Sequence, residues 1–187
     1  MNHNNSLISL PAGISYVCCP FIKRIEDQIG AIEIAVYNVG GNVRFGIAET
    51  TSRVFFKVWE MCCFGGFLMG REVSNHMRTR GRGTIIFTGA TASVRGGEGY
   101  SAFATGKHGL RALAQSMARE LAPKGIHIGH VIIDGAIDTE WIREMFPDRY
   151  AQKDQDGILN PDSIADAYWS LHQQPRDAWT FELDLRP

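Results

Sequence analysis

The chain has little net charge, no long apolar run and no cluster of metal-binding side chains. Its 19 basic and 20 acidic residues leave a net charge of −1, which gives no electrostatic reason to expect nucleic acid or a membrane surface as partner. No stretch approaches the roughly 18 apolar residues that a membrane span needs. The six histidines are scattered, so no spacing of metal ligands appears. We therefore expect no nucleic-acid partner, no membrane partner and no metal.

Cysteine spacing and the first residues bear on the cellular compartment. The four cysteines form two adjacent pairs, at 18–19 and 62–63, and neither pair has the CxxC spacing of a redox or zinc motif. The segment 7–19 is moderately apolar, but Pro11 and Gly13 interrupt it and no basic residue precedes it. That pattern argues against a secretory signal. We predict a cytoplasmic protein with reduced thiols.

Apolar runs and helix signals alternate along the chain. Buried strands are predicted at 32–37, 84–88 and 126–133, and the alternating run at 179–185 predicts a half-exposed last strand. Helices are predicted at 22–30, 50–79, 100–122 and 161–171, bounded by capping or stop residues at Thr51, Gly81, Gly125 and Asn160. This order predicts an α/β fold with a doubly wound parallel sheet and helices on both faces. We interpret 1–187 as a single domain with an atypical segment at 1–22.

Polar or small residues follow each predicted buried strand, at 38–40, 89–93 and 134–139. The carboxyl ends of parallel strands meet at one edge of a sheet, and ligands of such sheets bind there. The chemistry-bearing residues therefore stand where this fold would use them.

One stretch carries a family resemblance. From Gly83 to Lys107 the chain reads GTIIFTGATASVRGGEGYSAFATGK, with IEIAVYNVGG upstream and HVIIDGAIDT downstream. From about residue 25 to residue 187 the chain resembles the C-terminal half of a short-chain dehydrogenase/reductase. The resemblance implies a Rossmann-like sheet, NAD or NADP as cofactor, and hydride transfer to or from a carbonyl or alcohol substrate. It also implies a homodimer or homotetramer.

The family's catalytic group is a serine, a tyrosine and a lysine, often supported by an asparagine. Of these, the resemblance places only the lysine, as Lys107. Phe103 occupies the tyrosine position, Ala90 the serine position and Cys62 the asparagine position. A phenyl ring has no transferable proton, so the usual acid–base step cannot run unchanged.

Three neighbouring hydroxyls are candidate substitutes for the missing groups. Tyr100 stands seven residues before Lys107, two helical turns or roughly 10 Å along the axis, and Thr91 and Ser93 lie in the preceding loop. The alternative is that Tyr100 is a surface residue at a helix start and that the other two form a turn. Lys107 itself could be an ordinary solvated lysine.

The resemblance also implies a set of cofactor contacts. Asn38 and Gly40 would lie beside the adenosine ribose, Lys107 would bind the nicotinamide ribose, and the segment after the third strand would hold the carboxamide. The residues so assigned are Asn38, Gly40, Lys107, Gly135, Ile137 and Thr139. Taken alone, the same residues are also explained as plain strand-ending turns.

The glycine-rich turn that cradles phosphates in this fold has no counterpart near the start of the chain. At roughly 30 residues per βαβ unit, about 60 residues of the family pattern are missing. The strand at 32–37 would then present an open edge, unless residues 1–22 cover it. We interpret the chain as N-terminally truncated.

Two functions of different classes remain. The first is an impaired NAD(P)-dependent oxidoreductase. The second is a catalytically degenerate binding or oligomerisation scaffold, with anchors on the helix at 50–79, which in the family pairs with its counterpart in a second subunit. The candidate anchors are Phe55, Phe56, Trp59 and Phe67, which could equally just cover the sheet.

Overall fold

The computed structural model describes residues 18–187. Within them, four parallel strands form one sheet in the order β1-β2-β3-β4. The strands are β1 (Ile34–Tyr37), β2 (Gly83–Thr88), β3 (Ile126–Ile133) and β4 (Glu182–Leu185). The helices are α1 (Cys18–Gln28), α2 (Ser52–Trp59), α3 (Gly65–Arg80), α4 (Ser101–Leu121), α5 (Glu140–Met145), α6 (Pro147–Tyr150) and α7 (Pro161–His172). The predicted α/β fold with a parallel sheet is confirmed.

Helices cover both faces of the sheet. The larger core cluster joins α1, α3 and α4 to the side chains of alternate residues in β2, such as Ile85 and Phe87. The intervening residue Ile86 points to the opposite face, where it packs with Leu171 of α7. This alternation is the period of two of an extended strand. Because both faces are covered, β2 and β3 are apolar along most of their length.

Helix ends form where the sequence predicts them. Thr51 Oγ1 accepts a hydrogen bond of 3.2 Å from the backbone N–H of Val54, and Asn160 Oδ1 caps α7 through the N–H of Asp162 at 2.8 Å. Gly81 ends α3 in the left-handed region. Caps of this kind satisfy backbone groups that have no partner inside a helix.

Several boundaries differ from the prediction. The predicted tail of a helix at 22–30 belongs to α1, which ends at Gln28, while β1 begins at Ile34 rather than residue 32 and β4 begins at Glu182 rather than residue 179. The short helices α5 and α6 lie in a segment that the sequence predicts to be a loop. Thr139 and Pro147 stand at their starts, but each helix is too short to show an apolar period in the sequence. Our expectations for residues 1–17 lie outside the described residues.

A π-helical segment, Glu60–Phe64, joins α2 to α3. It places Cys62, which is fully buried, against α4, where a Cβ added at Gly106 would stand 2.7 Å from the Cys62 Cβ. The glycine therefore allows the close approach of the two helices. π-Bulges inside α-helices are frequently found at functional sites.

Within the described residues, β1 is an edge strand that pairs only with β2. Its Val36 side chain is 45% exposed. This is the edge that the sequence predicts to be open.

Candidate active site

The loops after β1, β2 and β3 meet at the carboxyl edge of the sheet, because the strands are parallel and in register. These loops carry most of the residues singled out in the sequence. The rest of the site comes from the first turns of α4 and from the π-helical segment beside it. Its centre is a buried lysine.

Lys107 lies in the second turn of α4 and is 4% exposed. Its ammonium donates hydrogen bonds to the carbonyl of Thr88 at 2.7 Å and to that of Val39 at 3.1 Å. Those carbonyls lie at or just beyond the carboxyl ends of β2 and β1. Burial lowers the pKa of Lys107, although the neighbouring Cys62 opposes the shift. The lysine is therefore a held group at the ligand edge rather than a solvated one.

The three replaced positions surround this lysine or stand close to it in the fold. The Phe103 ring is 8% exposed, and its centroid lies 5.9 Å from Lys107 Nζ. The Cys62 thiol accepts a 3.3 Å hydrogen bond from the backbone N–H of Gly41, and burial raises its pKa. Ala90 begins the turn after β2, and its N–H donates to Ser93 Oγ at 3.0 Å. Phe103 and Cys62 thus lie beside Lys107, and the side chains at all three replaced positions are apolar or weakly polar.

The substitute hydroxyls have separate partners. Tyr100 occupies the N-cap position of α4 without a side-chain capping hydrogen bond, and its ring lies 5.8 Å from the Arg44 guanidinium carbon. The Thr91 hydroxyl donates to the carboxylate of Asp134, which also ion-pairs with Arg95 at 3.8 Å. Through Asp134, the Thr91 hydroxyl is hydrogen-bonded to the loop that follows β3. The part of the chain that the structure describes shows no hydrogen bond between Tyr100 and Lys107.

Ser93 is fully buried behind the loop. Its oxygen accepts the hydrogen bond from Ala90, which closes the short turn at Thr91–Ser93. A substrate at the carboxyl edge of the sheet would therefore contact the backbone of this loop before it contacted the Ser93 hydroxyl.

The residues assigned to cofactor binding lie along the same edge. Asn38 and Gly40 are exposed, and a Cβ at Gly40 would stand 3.9 Å from Lys107 Nζ. After β3, Gly135 is exposed, Ile137 bridges to Leu159, and Thr139 caps α5 by accepting from the Ile142 N–H at 3.3 Å. Of these residues, Gly40 borders Lys107.

The described residues fit one half of a nicotinamide dinucleotide. An ammonium has three N–H donors, and Lys107 uses two of them on backbone carbonyls, so a third is left for a ribose hydroxyl. The other half needs a glycine-rich turn at a helix N-terminus beside β1. None is found among residues 18–187, where β1 has no second neighbouring strand. Lys107 could thus hold a nicotinamide ribose, and a phosphate cradle is not among the described residues.

One buried network of the site was missed by sequence reasoning. His130 of β3 is fully buried, and its Nδ1 lies 3.0 Å from Glu182 Oε2. Arg111 of α4 donates two hydrogen bonds, of 2.6 and 2.8 Å, to the same carboxylate. The Arg111 hydrogen bonds lower the pKa of Glu182, and burial lowers the pKa of His130. A histidine inside an otherwise apolar strand run was the signal that could have revealed it.

The described residues also bear on two other classes of site, a metal centre and a membrane span. In the part of the chain that is described, no group of three or more histidine, cysteine, aspartate or glutamate side chains could hold a metal ion. In the same residues, no helix is long and apolar enough to cross a membrane.

The parallel sheet with helices on both faces defines a Rossmann-like α/β fold. The family model for short chain dehydrogenase matches residues 17–150. A solved short-chain dehydrogenase from Rhodopseudomonas palustris is 48% identical, with a TM-score of 0.75, and the match covers 91% of this chain and 68% of that one. The chain belongs to the short-chain dehydrogenase family, as the resemblance predicted.

Other similar proteins are less identical in sequence and are matched over part of their length. The 3-oxoacyl-[acyl-carrier-protein] reductase MabA of Mycobacterium avium is 28% identical over 121 residues, which make up 65% of this chain and 47% of MabA. The chain thus spans less than half the length of this curated relative. ElxO, solved with NADP bound and as a tyrosine-to-phenylalanine variant with NADPH bound, is 20% identical. The variant has a TM-score of 0.80 over 90% of this chain and 71% of ElxO, a likeness that shows the fold.

Proposed function

We propose that this chain is an NAD(P)-dependent oxidoreductase whose proton-transfer step is impaired, acting on a small carbonyl or alcohol substrate. Lys107 carries the proposal. A buried ammonium is costly unless its donors are satisfied, and here two backbone carbonyls hold it at the ligand edge with one N–H unused. A bound nicotinamide would supply hydride chemistry. Lys107 would hold its ribose, with Asn38 and Gly40 on one side and the segment 135–139 on the other.

Loss of the tyrosine does not argue against cofactor binding. ElxO holds NADPH in a variant that has phenylalanine in place of a tyrosine. By analogy, Phe103 leaves room for a nicotinamide while removing the group that would move a proton. Binding and turnover are therefore separable properties of this chain.

Thr91, Tyr100 and Ser93 remain the candidate sources of residual proton transfer. The Thr91 proton is committed to the Asp134 carboxylate, so Thr91 can offer a substrate only a lone pair. A hydroxyl oriented this way can take a proton from an alcohol as its own proton passes to Asp134. Run in reverse, with the proton passing from Asp134 through Thr91, the same relay would deliver it to a carbonyl oxygen. Residual activity through Thr91 would therefore serve both directions of the reaction.

Calorimetric titration with NADH and NADPH tests the binding proposal. We expect the wild-type chain to bind at least one of them, and Lys107→Met to bind it roughly 10–100-fold more weakly, because a charge-assisted hydrogen bond is lost. Lys124→Met is the matched control, since this lysine pairs with Glu120 on the surface. A folded wild-type chain that binds neither nucleotide would refute the proposal.

A second candidate function, an oligomerisation scaffold, has its own observation. Four aromatic rings follow one another along α2, the π-helical segment and α3, with neighbouring centroids 5.9–6.1 Å apart. The rings are Phe56, Trp59, Phe64 and Phe67, and we call them the aromatic row. Phe56 is 55% exposed and Phe67 is 38% exposed. An exposed row of this kind suits pairing with a second copy of the chain, as a homodimer or homotetramer.

Light scattering coupled to gel filtration tests the pairing. We expect the wild-type chain to be dimeric or tetrameric and Phe56→Glu to shift it to monomer, because a carboxylate would be buried without a partner. Phe45→Glu is the control, since Phe45 is also exposed but lies outside the aromatic row. A wild-type monomer, or equal dissociation by both variants, would exclude this interface.

We also propose a cytoplasmic location. It is supported by Cys62 and Cys63, which are free thiols and suit a reducing compartment.

A further inference from the structure

The His130 side chain is buried against the loop that follows β2. Its Nε2 has no hydrogen-bond partner among the described residues. The nitrogen lies against Gly89, where an added Cβ would stand 2.5 Å from Nε2 and 2.9 Å from Ser93 Oγ. The imidazole and the Ser93 hydroxyl therefore flank the same backbone position.

The electrostatic partners of His130 decide which of its nitrogens carries the proton. Glu182 is held as a carboxylate by two hydrogen bonds from Arg111, and a carboxylate can only accept. His130 Nδ1 must therefore be the donor in the 3.0 Å contact with Glu182 Oε2. Burial, together with the positive charges of Arg111 and Lys107, favours the neutral ring and outweighs Glu182. In the neutral ring, Nε2 is left as a lone-pair acceptor.

Ser93 supplies the complementary donor. Its oxygen already accepts from the Ala90 N–H, so its proton is free to point elsewhere. A fully buried acceptor and a fully buried donor on the same side of Gly89 each gain from meeting, since an unsatisfied buried polar atom is costly.

We propose that His130 is a positioning residue, whose Nε2 accepts the Ser93 hydroxyl and thereby sets the loop 89–93. Hydrogen bonds join Arg111 to Glu182 and Glu182 to His130, and a separate one joins Ser93 to the Ala90 N–H. Within the described part of the chain the structure forms no hydrogen bond at His130 Nε2, and the proposed one would link these two groups and tie the loop 89–93 to β4. The proposal depends on the proposed function only in assigning the loop 89–93 a part in catalysis.

The wild-type chain alone gives the first test. A long-range proton–nitrogen correlation spectrum of nitrogen-labelled histidine should show His130 protonated on Nδ1 and bare on Nε2. The Nε2 resonance should move in Ser93→Ala, which removes the donor. A ring protonated on Nε2, or a resonance that Ser93→Ala leaves in place, would overturn the proposal.

Two substitutions separate the two ends of the imidazole. His130→Asn retains a donor near the Nδ1 position for Glu182 but offers nothing at the Nε2 position. His130→Gln reaches the Nε2 position with an amide oxygen. We expect hydrogen exchange of the Ala90 amide to quicken about two- to tenfold in the Asn variant, the equivalent of one hydrogen bond, and to stay near wild type in the Gln variant.

Exchange at Ile86, in the centre of the sheet, corrects for any loss of global stability. Equal quickening in both His130 variants, or none in the Asn variant, would contradict the acceptor role. Neither readout requires a nucleotide. If the NADH and NADPH titrations fail while His130→Asn loosens Ala90, the proposed function falls and the loop assignment stands. If binding occurs while Ala90 is unaffected, the reverse holds.

Discussion

Phe103→Tyr is expected to raise turnover by about 10²–10⁴, the usual contribution of a positioned acid–base group. The Phe103 ring already lies 5.9 Å from the Lys107 ammonium. A hydroxyl on that ring would enter the neighbourhood of a buried positive charge, which stabilises the phenolate and lowers a tyrosine pKa. The substitution thus adds the missing acid where the family has it, without changing the backbone.

The measurement is the rate of nicotinamide absorbance change with a panel of ketones and secondary alcohols. The double variant Phe103→Tyr with Lys107→Met is the control, since it adds the hydroxyl and removes the charge that activates it. If Phe103→Tyr folds and binds NADH or NADPH but gains nothing, the acid is not the limiting defect. The deficit would then lie at Ala90 and Cys62, which lack the serine hydroxyl and the asparagine amide.

Much of the fold could be predicted because its signals are local. The run at 126–133 is apolar enough to specify a buried strand, and β3 has those bounds. Thr51, Gly81 and Asn160 act within one turn of their own helix, so their roles can be predicted without knowledge of the tertiary structure. The short helices α5 and α6 were missed because 6 and 4 residues are too few to show an apolar period, and the π-helical segment because it interrupts a pattern that predicts one continuous helix.

The site was only partly predictable for the same reason. Lys107 and the edge of the sheet follow from the order of strands and helices. The partners of each side chain do not, because Asp134 meets Thr91 across 43 positions and Glu182 meets His130 across 52. Sequence spacing indicates which groups share an edge, and side-chain packing decides which of them touch.

The helix stops at Gly81 and Gly125 show a further long-range constraint. Both have a left-handed backbone, with φ of 65° and 82°, as a helix-ending glycine predicts. They also lie against each other at the amino edge of the sheet, next to the paired starts of β2 and β3, Gly83 and Ile126. A Cβ at Gly125 would overlap the Gly81 carbonyl oxygen and stand 2.9 Å from its carbon. The close approach of Gly125 to the Gly81 carbonyl cannot be predicted from the sequence.

Gly125→Ala is therefore expected to destabilise the fold strongly. Strain at positive φ adds about 1–3 kcal/mol, and the overlap with a backbone atom adds about 1–3 kcal/mol more. Thermal unfolding followed by circular dichroism should show Tm falling by roughly 2–4 °C for each kcal/mol. Gly96→Ala is the matched control, because no atom lies within 4 Å of its added Cβ. If the two variants unfold at the same temperature, neither the positive φ of Gly125 nor its approach to the Gly81 carbonyl constrains the fold as the structure indicates.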